Sequence, residues 1–304
     1  FGLATEPGMN LMQKVKNAVM PKTSITISAA NNETLKNKIT EAKLVAGYNH
    51  FIALTADGKV YSFGSNSYGQ LGRTGNTYTP QEIPNLENIE KVSAGNYHSM
   101  AIDKEGNVYT WGYNQNGQLG DGTRISNSIP TKIKLTNITK IATKNNTSAA
   151  IDGDGNLYTW GYNNSGELGL GDTNNRTEPT QTNMKAVIDI AAGTDHTLVL
   201  KADGTVWATG LNNYGQLGNG TTENTNTFQQ VKLNENGDYL ENIVSIAAGY
   251  TASYAVTAEG EVYGWGRNDD GELGIGSKSS EINELYPVKM KKVSKIIQIA
   301  AGAN

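Results

Sequence analysis

An eleven-residue phrase recurs along this chain at intervals of about fifty residues, and this period constrains the fold more than any other feature. The first copy runs from Leu44 to Leu54 and reads LVAGYNHFIAL. Marked by their glycine position, the copies fall at 47, 95, 144, 193, 249 and 302, with spacings of 48, 49, 49, 56 and 53 residues. Lys144 replaces the glycine in the third copy, and the sixth copy, Ile299 to Asn304, is partial.

Each full copy is followed by the same series of segments: an acidic-glycine pair, an apolar run that ends in glycine, and the motif Asn-x-x-Gly-Gln/Glu-Leu-Gly. The acidic-glycine pairs are Asp57-Gly58, Glu105-Gly106, Asp154-Gly155, Asp203-Gly204 and Glu259-Gly260. The apolar runs are 60–64, 108–112, 157–161, 206–210 and 262–266, and the motif ends at Gly72, Gly120, Gly169, Gly218 and Gly274. A polar loop and a final strand complete most units.

This series predicts a small antiparallel sheet for each unit. An acidic-glycine pair between two apolar runs predicts a tight hairpin, because glycine tolerates the positive φ that such turns need. Alanine and glycine in the first run suit a crowded inner strand, and the Trp or Phe of the second run adds bulk between neighbouring sheets. One such sheet cannot bury both of its faces, whereas copies arranged around an axis can. We therefore expect an all-β chain folded as a β-propeller with one blade per period.

The motifs resemble the repeats of the regulator of chromosome condensation (RCC1) family. The shared residues are Ala-Gly-x-x-His, Asp-Gly-x-Val-Tyr-x-Trp-Gly and Asn-x-x-Gly-Gln-Leu-Gly, repeated in register across residues 42–304. The resemblance implies the seven-bladed propeller of that family, while this chain has five full repeats and a partial one. The predicted repeats are about 44–91, 92–140, 141–189, 190–245 and 246–295, with the partial repeat at 296–304.

Residues 1–41 form a separate N-terminal segment in this prediction. Asn10 suits the cap of a short helix with Leu11, Val15 and Val19 on one stripe, and Pro21 would stop it. We expect this helix to cover a blade face, with docking to a partner as the alternative. Residues 21–27 resemble the closing strand of a preceding repeat. Five full units do not complete a seven-bladed ring, so we expect a part of a longer protein or an open arc completed by another chain.

Charge and composition argue against several classes of function. The formal net charge is −4 and there is no basic tract, so the chain lacks the electrostatic footprint of a nucleic-acid-binding protein. The absence of cysteine excludes disulfides, thiolate metal sites and a thiol nucleophile. No apolar run reaches the length of a membrane span, and the first eight residues do not form a signal peptide.

The three histidines, His50, His98 and His196, occupy one repeat position in different units. A metal site would require them to converge; the alternative is that each imidazole bonds to backbone or to a neighbouring blade. Thr147 and Ala252 stand at the same position in the other units, which favours that alternative. No carboxylate or serine accompanies a unique histidine as in a catalytic triad. We therefore predict no metal, no cofactor, no catalytic residues and no enzymatic activity.

Two loops of each unit vary while the frame persists, and we expect both loops to emerge on one propeller face. One follows Ala-Gly, and the other lies inside Asn-x-x-Gly. Their Tyr, Asn and Ser residues suit adaptable protein contacts; the alternative is that they are solvated loop tips. The predicted partner-binding residues are Tyr48, Asn49, Tyr68, Asn96, Tyr97, Asp195, Tyr214, Tyr250, Asp269 and Asp270.

These features predict a scaffold that binds protein partners through the variable loops. The resemblance implies the same, because the family includes a secreted bacterial enzyme inhibitor that uses aromatic residues of these loops. Two alternatives are open: a guanine-nucleotide exchange factor for a small GTPase, and a structural subunit that assembles by strand exchange at open propeller edges. The Asn-, Lys- and Ile-rich composition favours a bacterial protein that is extracellular or on the cell surface, with the cytoplasm as the alternative.

Overall fold

The computed structural model of the chain describes residues 43–276, 283–296 and 299–302. They belong to the compact unit Ala42–Asn304 and form five four-stranded antiparallel sheets. These residues form no helix, and so none that is long and apolar enough to cross a membrane. The predicted N-terminal helix and the strand at 21–27 lie outside the described residues.

The strands of each sheet follow one another in chain order, so every sheet is a simple meander. Sheet 1 contains β1 (Lys43–Ala46), β2 (His50–Leu54), β3 (Val60–Gly64) and β4 (Gln81–Glu82). Sheet 2 contains β5 (Ile89–Ala94), β6 (His98–Asp103), β7 (Val108–Gly112) and β8 (Asn127–Lys132). Sheet 3 contains β9 (Ile138–Lys144), β10 (Thr147–Asp152), β11 (Leu157–Gly161) and β12 (Arg176–Gln181). Sheet 4 contains β13 (Val187–Ala192), β14 (His196–Lys201), β15 (Val206–Gly210) and β16 (Thr225–Gln230). Sheet 5 contains β17 (Ile243–Ala248), β18 (Ala252–Thr257), β19 (Val262–Gly266) and β20 (Glu284–Lys289).

The acidic-glycine pairs form the hairpin turns between the second and third strands of each sheet. In sheet 1, the amide of Gly58 donates to the carbonyl of Thr55 at 3.0 Å, and Gly58 has a φ of 84°. The same glycine ties its sheet to the next one, because its carbonyl accepts the amide of Ile89 at 3.1 Å. The bond recurs for Gly106 with Ile138, Gly155 with Val187, Gly204 with Ile243 and Gly260 with Ile296. Because the first four of these bonded residues each begin a strand, the first strands of sheets 2 to 5 begin at Ile89, Ile138, Val187 and Ile243, a few residues before the predicted starts of the repeats.

The apolar core lies between consecutive sheets rather than within one sheet. Trp111 of sheet 2 packs into a cluster with Ile52, Leu54 and Val60 of sheet 1, and Trp160 and Trp265 occupy the same place between sheets 2 and 3 and between sheets 4 and 5. All three indoles are fully buried. Burial of a large aromatic side chain is worth a few kcal/mol, so these junctions stabilise sheets that could not cover their own faces.

At the junction between sheets 3 and 4, called junction 3–4 below, different residues fill the space between the sheets. Thr209 stands at the tryptophan position, and Phe228 from β16 enters the cluster with residues of sheet 3. A Cβ added at Gly169 would overlap the Phe228 ring, just as one at Gly120 would meet the Trp160 indole. Phe228 thus fills the space that tryptophan fills at the other three junctions.

The partial sixth repeat packs on sheet 5, and its described residues 299–302 form no regular strand. Ile299 and Ala301 contact the cluster that contains Ala252 and Tyr254, and Gly302 lies beside Gly249. The described residues therefore form five complete sheets and the beginning of a sixth unit, fewer than the seven blades that the family resemblance implies.

Candidate functional site

The topology brings the two variable loops of each unit to the same end of the sheet. The first loop follows the first strand, and the second follows the third strand, which runs in the same direction because both are antiparallel to the strand between them. The loops of one sheet also bond to each other through their backbones. The amide of Ser65 donates to the carbonyl of Asn49 at 2.7 Å, and the amide of Tyr113 donates to the carbonyl of Tyr97 at 2.9 Å. We call this end of the sheets the loop face.

Backbone and side-chain bonds join the first loops from one sheet to the next. The amide of Tyr48 donates to the carbonyl of Asn96 at 3.2 Å, and the amide of Asn96 donates to Asn145 at 3.0 Å. The Nδ2 of Asn145 in turn donates to Oδ1 of Asp195 at 3.2 Å. The predicted residues Asn96 and Asp195 therefore help to hold neighbouring loops together, in addition to being partly exposed.

Four tyrosines from sheets 1 and 2 meet on the loop face, and we call Tyr48, Tyr68, Tyr97 and Tyr113 the tyrosine cluster. The ring centroids are 5.8 Å apart for Tyr48 and Tyr97, 5.1 Å for Tyr68 and Tyr97, and 4.8 Å for Tyr68 and Tyr113. Such tilted and edge-to-face contacts are favourable for aromatic rings. Tyr48 is 66% exposed and Tyr68 is 44% exposed, so the cluster presents aromatic surface to solvent.

The predicted tyrosines of sheets 4 and 5 do not join this cluster. The Arg267 guanidinium lies over the Tyr214 ring at 5.8 Å, and its Nε bonds to Oδ2 of Asp269 at 2.7 Å. Tyr250 and Asp270 are exposed. The loop face is thus aromatic at the tyrosine cluster and charged around Arg267.

Tyr113 is a member of the cluster that the sequence reasoning missed. It follows the Trp-Gly that ends β7, one residue before the motif whose variable pair was singled out. The sequence did contain a signal, because this position varies between repeats as the singled-out pairs do. Tyr162 stands there in the third repeat, and Ser65, Leu211 and Arg267 stand there in the others.

A buried asparagine holds the second loop in shape in sheets 2, 3 and 4. The Oδ1 of Asn163 accepts the amide of Leu168 at 2.9 Å, and its Nδ2 donates to the carbonyls of Asp172 and Asn174, both at 3.0 Å. Asn114 and Asn212 make equivalent bonds in their own repeats, and all three side chains are fully buried. The motif asparagine is therefore a structural residue, while the variable pair that follows it is free to differ.

Each of the three histidines forms a hydrogen bond to the neighbouring sheet, which is the arrangement that the sequence analysis gave as the alternative to a metal site. The Nε2 of His50 lies 3.0 Å from Oγ of Ser99, that of His98 lies 2.9 Å from Ser148, and that of His196 lies 3.0 Å from Ser253. Burial lowers the pKa of His50 to about 4 and that of His98 to about 3, and His50 adds to the effect on His98. Among the described residues, no three His, Cys, Asp or Glu side chains are grouped so that they could hold a metal ion.

Comparison with known proteins identifies the repeats. The model of the RCC1-like domain family matches residues 11–304. The E3 ubiquitin-protein ligase HERC2 of Homo sapiens is 42% identical over 64 residues, which are 21% of this chain and 1% of that protein. The regulator of chromosome condensation of Drosophila melanogaster is 34% identical over 64 residues, 21% of this chain and 12% of that protein. These matches span only a small part of each relative.

Solved structures resemble the chain over a longer stretch. Prp20p of Saccharomyces cerevisiae has a TM-score of 0.74 and 26% identity, with 86% of this chain and 66% of that one covered. Human WBSCR16 has a TM-score of 0.75 and 26% identity, with 86% and 70% covered. Since the family model spans nearly the whole chain and the sheets match those of RCC1 propellers, this chain belongs to the RCC1-like domain family.

Proposed function

We propose that this chain is a non-enzymatic protein-interaction module that binds its partner through the loop face, with the tyrosine cluster at the centre of the contact. The observation that carries the proposal is the clustering of four tyrosines from four loops of two sheets. Tyrosine is enriched at protein interfaces because it offers a large, stiff contact area and a hydroxyl that can form hydrogen bonds.

The family supports this choice of function class. RCC1-like propellers mediate protein interactions, and the Prp20p structure was described together with binding to Gsp1p and histones. Those partners belong to Prp20p. For this chain, the aromatic surface of the tyrosine cluster favours a partner with an apolar or aromatic side chain at the centre of its own surface, because such anchors are the residues that dominate binding energy.

The test is affinity capture with three chains and a bead blank. The chains are the unchanged protein, a variant with Tyr48, Tyr68, Tyr97 and Tyr113 changed to Ala, and a control with Tyr78 and Tyr239 changed to Ala. Tyr78 is 93% exposed and Tyr239 is 45% exposed, and neither belongs to the cluster. Truncation of several aromatic anchors costs at least about 2 kcal/mol each, so we expect the partner's Kd to rise by more than about a hundredfold in the fourfold variant.

The control variant should bind as the unchanged chain does. Circular dichroism must show that both variants keep their strands. A partner bound equally well by all three folded chains would refute the placement of the contact at the tyrosine cluster.

Guanine-nucleotide exchange on a small GTPase is the second candidate, and the likeness to Prp20p favours it, because some family members act as exchange factors. A nucleotide-release assay over a panel of small GTPases tests it. Faster release in the presence of this chain is the expected result, and unchanged release rates across the panel would remove the candidate. The bacterial source, the extracellular or surface location and assembly by strand exchange stay predictions.

A further inference from the structure

Junction 3–4 differs from the other junctions in the groups that carry its buried hydrogen bonds. At the other three, a serine hydroxyl and the tryptophan Nε1 both donate to the carbonyl of the motif glutamine; at the junction of sheets 2 and 3, Ser148 and Trp160 donate to Gln118 at 2.8 and 3.0 Å. At junction 3–4 the glutamine is replaced by Glu167, whose carbonyl accepts only the hydroxyl of Thr197, at 2.8 Å. Sequence position and contacts therefore place a carboxylic acid where the other junctions have an amide.

The Glu167 side chain is buried and half satisfied. It is 1% exposed, its Oε2 accepts the amide of Ser165 at 2.9 Å, and its Oε1 has no hydrogen-bond partner. One junction earlier, the corresponding side-chain atom is Nε2 of Gln118, which donates to Oδ1 of Asn146 at 3.0 Å. Asp195 stands at the position of Asn146 in the next repeat. A partly buried glutamine–asparagine pair is thus replaced by a glutamate–aspartate pair.

Two carboxylates cannot both be ionised at low cost in such a place, since like charges repel and burial removes hydration. Tyr162 of the same loop lies close enough to Glu167 for their charges to interact, and the Cα atoms of His196 and Glu167 both lie beside Gly210. Lys144 acts on His196. Tyr162 is neutral, and burial keeps His196 neutral, with the positive charge of Lys144 adding to that effect. The Asp195 carboxylate already accepts Nδ2 of Asn145 through Oδ1.

We propose that Glu167 and Asp195 share one proton across junction 3–4, with Oε1–H of Glu167 donating to the Asp195 carboxylate, so that alkaline pH weakens this junction alone. The proton satisfies the otherwise unpartnered Oε1 and leaves one negative charge on the pair. When the proton is lost to solvent, both carboxylates carry a negative charge, and the loop that carries Asp195 is repelled from sheet 3. We call this pH-sensitive contact between sheets 3 and 4 the latch.

The electrostatics agree with this geometry. Burial raises the pKa of Glu167 to about 8, and the negative charge of Asp195 adds to the rise, against the backbone amides that bond to the carboxylate. Burial also raises the pKa of Asp195, while the bond from Asn145 opposes this. Because the pKa of Glu167 in the folded chain lies above its value in the unfolded chain, the contribution of this group to folding stability is greatest below the ordinary pKa of glutamate and falls as the pH rises to about 8.

Carbon-13 NMR of glutamate carboxyl groups tests the proposal directly in the intact chain, with the Glu167 signal assigned from the spectrum of Glu167→Gln. We expect a midpoint near pH 8 for Glu167 and a lower midpoint in Asp195→Asn, where the amide can donate to the ionised Glu167. A midpoint at the ordinary value of glutamate, or one that does not move in Asp195→Asn, would overturn the shared proton.

Gln118→Glu is the matched control, because it places a glutamate opposite Asn146 rather than opposite an aspartate. Its carboxyl should titrate below Glu167, and an equal midpoint would show that Asp195 contributes nothing. Thermal unfolding from pH 6 to pH 9 gives a second readout: the melting temperature of Glu167→Gln should fall less with pH than that of the unchanged chain. Parallel melting curves for the two chains would also contradict the latch.

Discussion

The exchange of tryptophan for phenylalanine at junction 3–4 allows a double-mutant test of how the sheets pack. Phe228 is 7% exposed and fills the space beside Gly169 that tryptophan fills elsewhere. Pro130, Pro179 and Pro287 stand at the position of Phe228 in the other sheets. The change Phe228→Pro combined with Thr209→Trp would therefore give sheet 4 the residues that its neighbours use.

The two single changes should each destabilise the chain. Phe228→Pro leaves a cavity, and loss of a buried phenyl ring costs about 3–5 kcal/mol. Thr209→Trp forces an indole into occupied space, at a cost of about 1–3 kcal/mol, and it also removes the bond from Oγ1 of Thr209 to the carbonyl of Gly166 at 2.9 Å. Proline itself fits the backbone, because β15 and β16 share the register shift found between β11 and β12, where Pro179 lies.

The double variant should recover most of this loss, since the new indole fills the cavity and its Nε1 can donate to the carbonyl of Glu167. We expect a coupling free energy of at least about 2 kcal/mol, which is within the range for residues in contact. Urea unfolding of all four chains, followed by circular dichroism, measures it. Thr227→Ala, an exposed neighbour, should change the free energy of unfolding by less than about 0.5 kcal/mol. Additive single effects would refute the idea that Phe228 replaces the missing tryptophan.

Two further predictions concern the loop frame and acid stability. Asn163→Ala should lower the free energy of unfolding by about 2–3 kcal/mol, because it leaves buried backbone groups unsatisfied. The control is Asn164→Ala, a change at the exposed neighbour, which should be nearly neutral in urea unfolding. Equal effects of the two changes would contradict the structural role of Asn163. Burial lowers the pKa of His98 to about 3, so the unfolded chain binds this proton first, and stability should fall by up to about 1.4 kcal/mol per pH unit below pH 6.5 for each such histidine. His98→Gln should reduce this slope between pH 6.5 and 4, and an unchanged slope would mean that His98 is not buried in its neutral form.

The period of the sequence was enough to predict the repeating sheet, because its signals are local. Glycine after an acidic residue at Gly58 makes a hairpin wherever two strands flank it, and alternation of apolar residues decides which strand faces are buried. The tryptophans could be assigned to the space between sheets for the same reason: a meander of four short strands has two faces and cannot cover both. The ten predicted loop residues lie on the loop face as partly or fully exposed side chains, although their binding role stays a prediction.

The tertiary structure decided which of these side chains meet. Tyr113 joins the tyrosine cluster because the second loop of sheet 2 lies beside the loops of sheet 1, a contact between residues far apart in sequence. Phe228 takes the place of tryptophan, and the charge of Asp195 acts on Glu167 of the preceding repeat, because neighbouring sheets share one core. Periodicity describes what each repeat has in common, whereas each junction is filled by residues of two different repeats, and only their packing in space shows which residues meet.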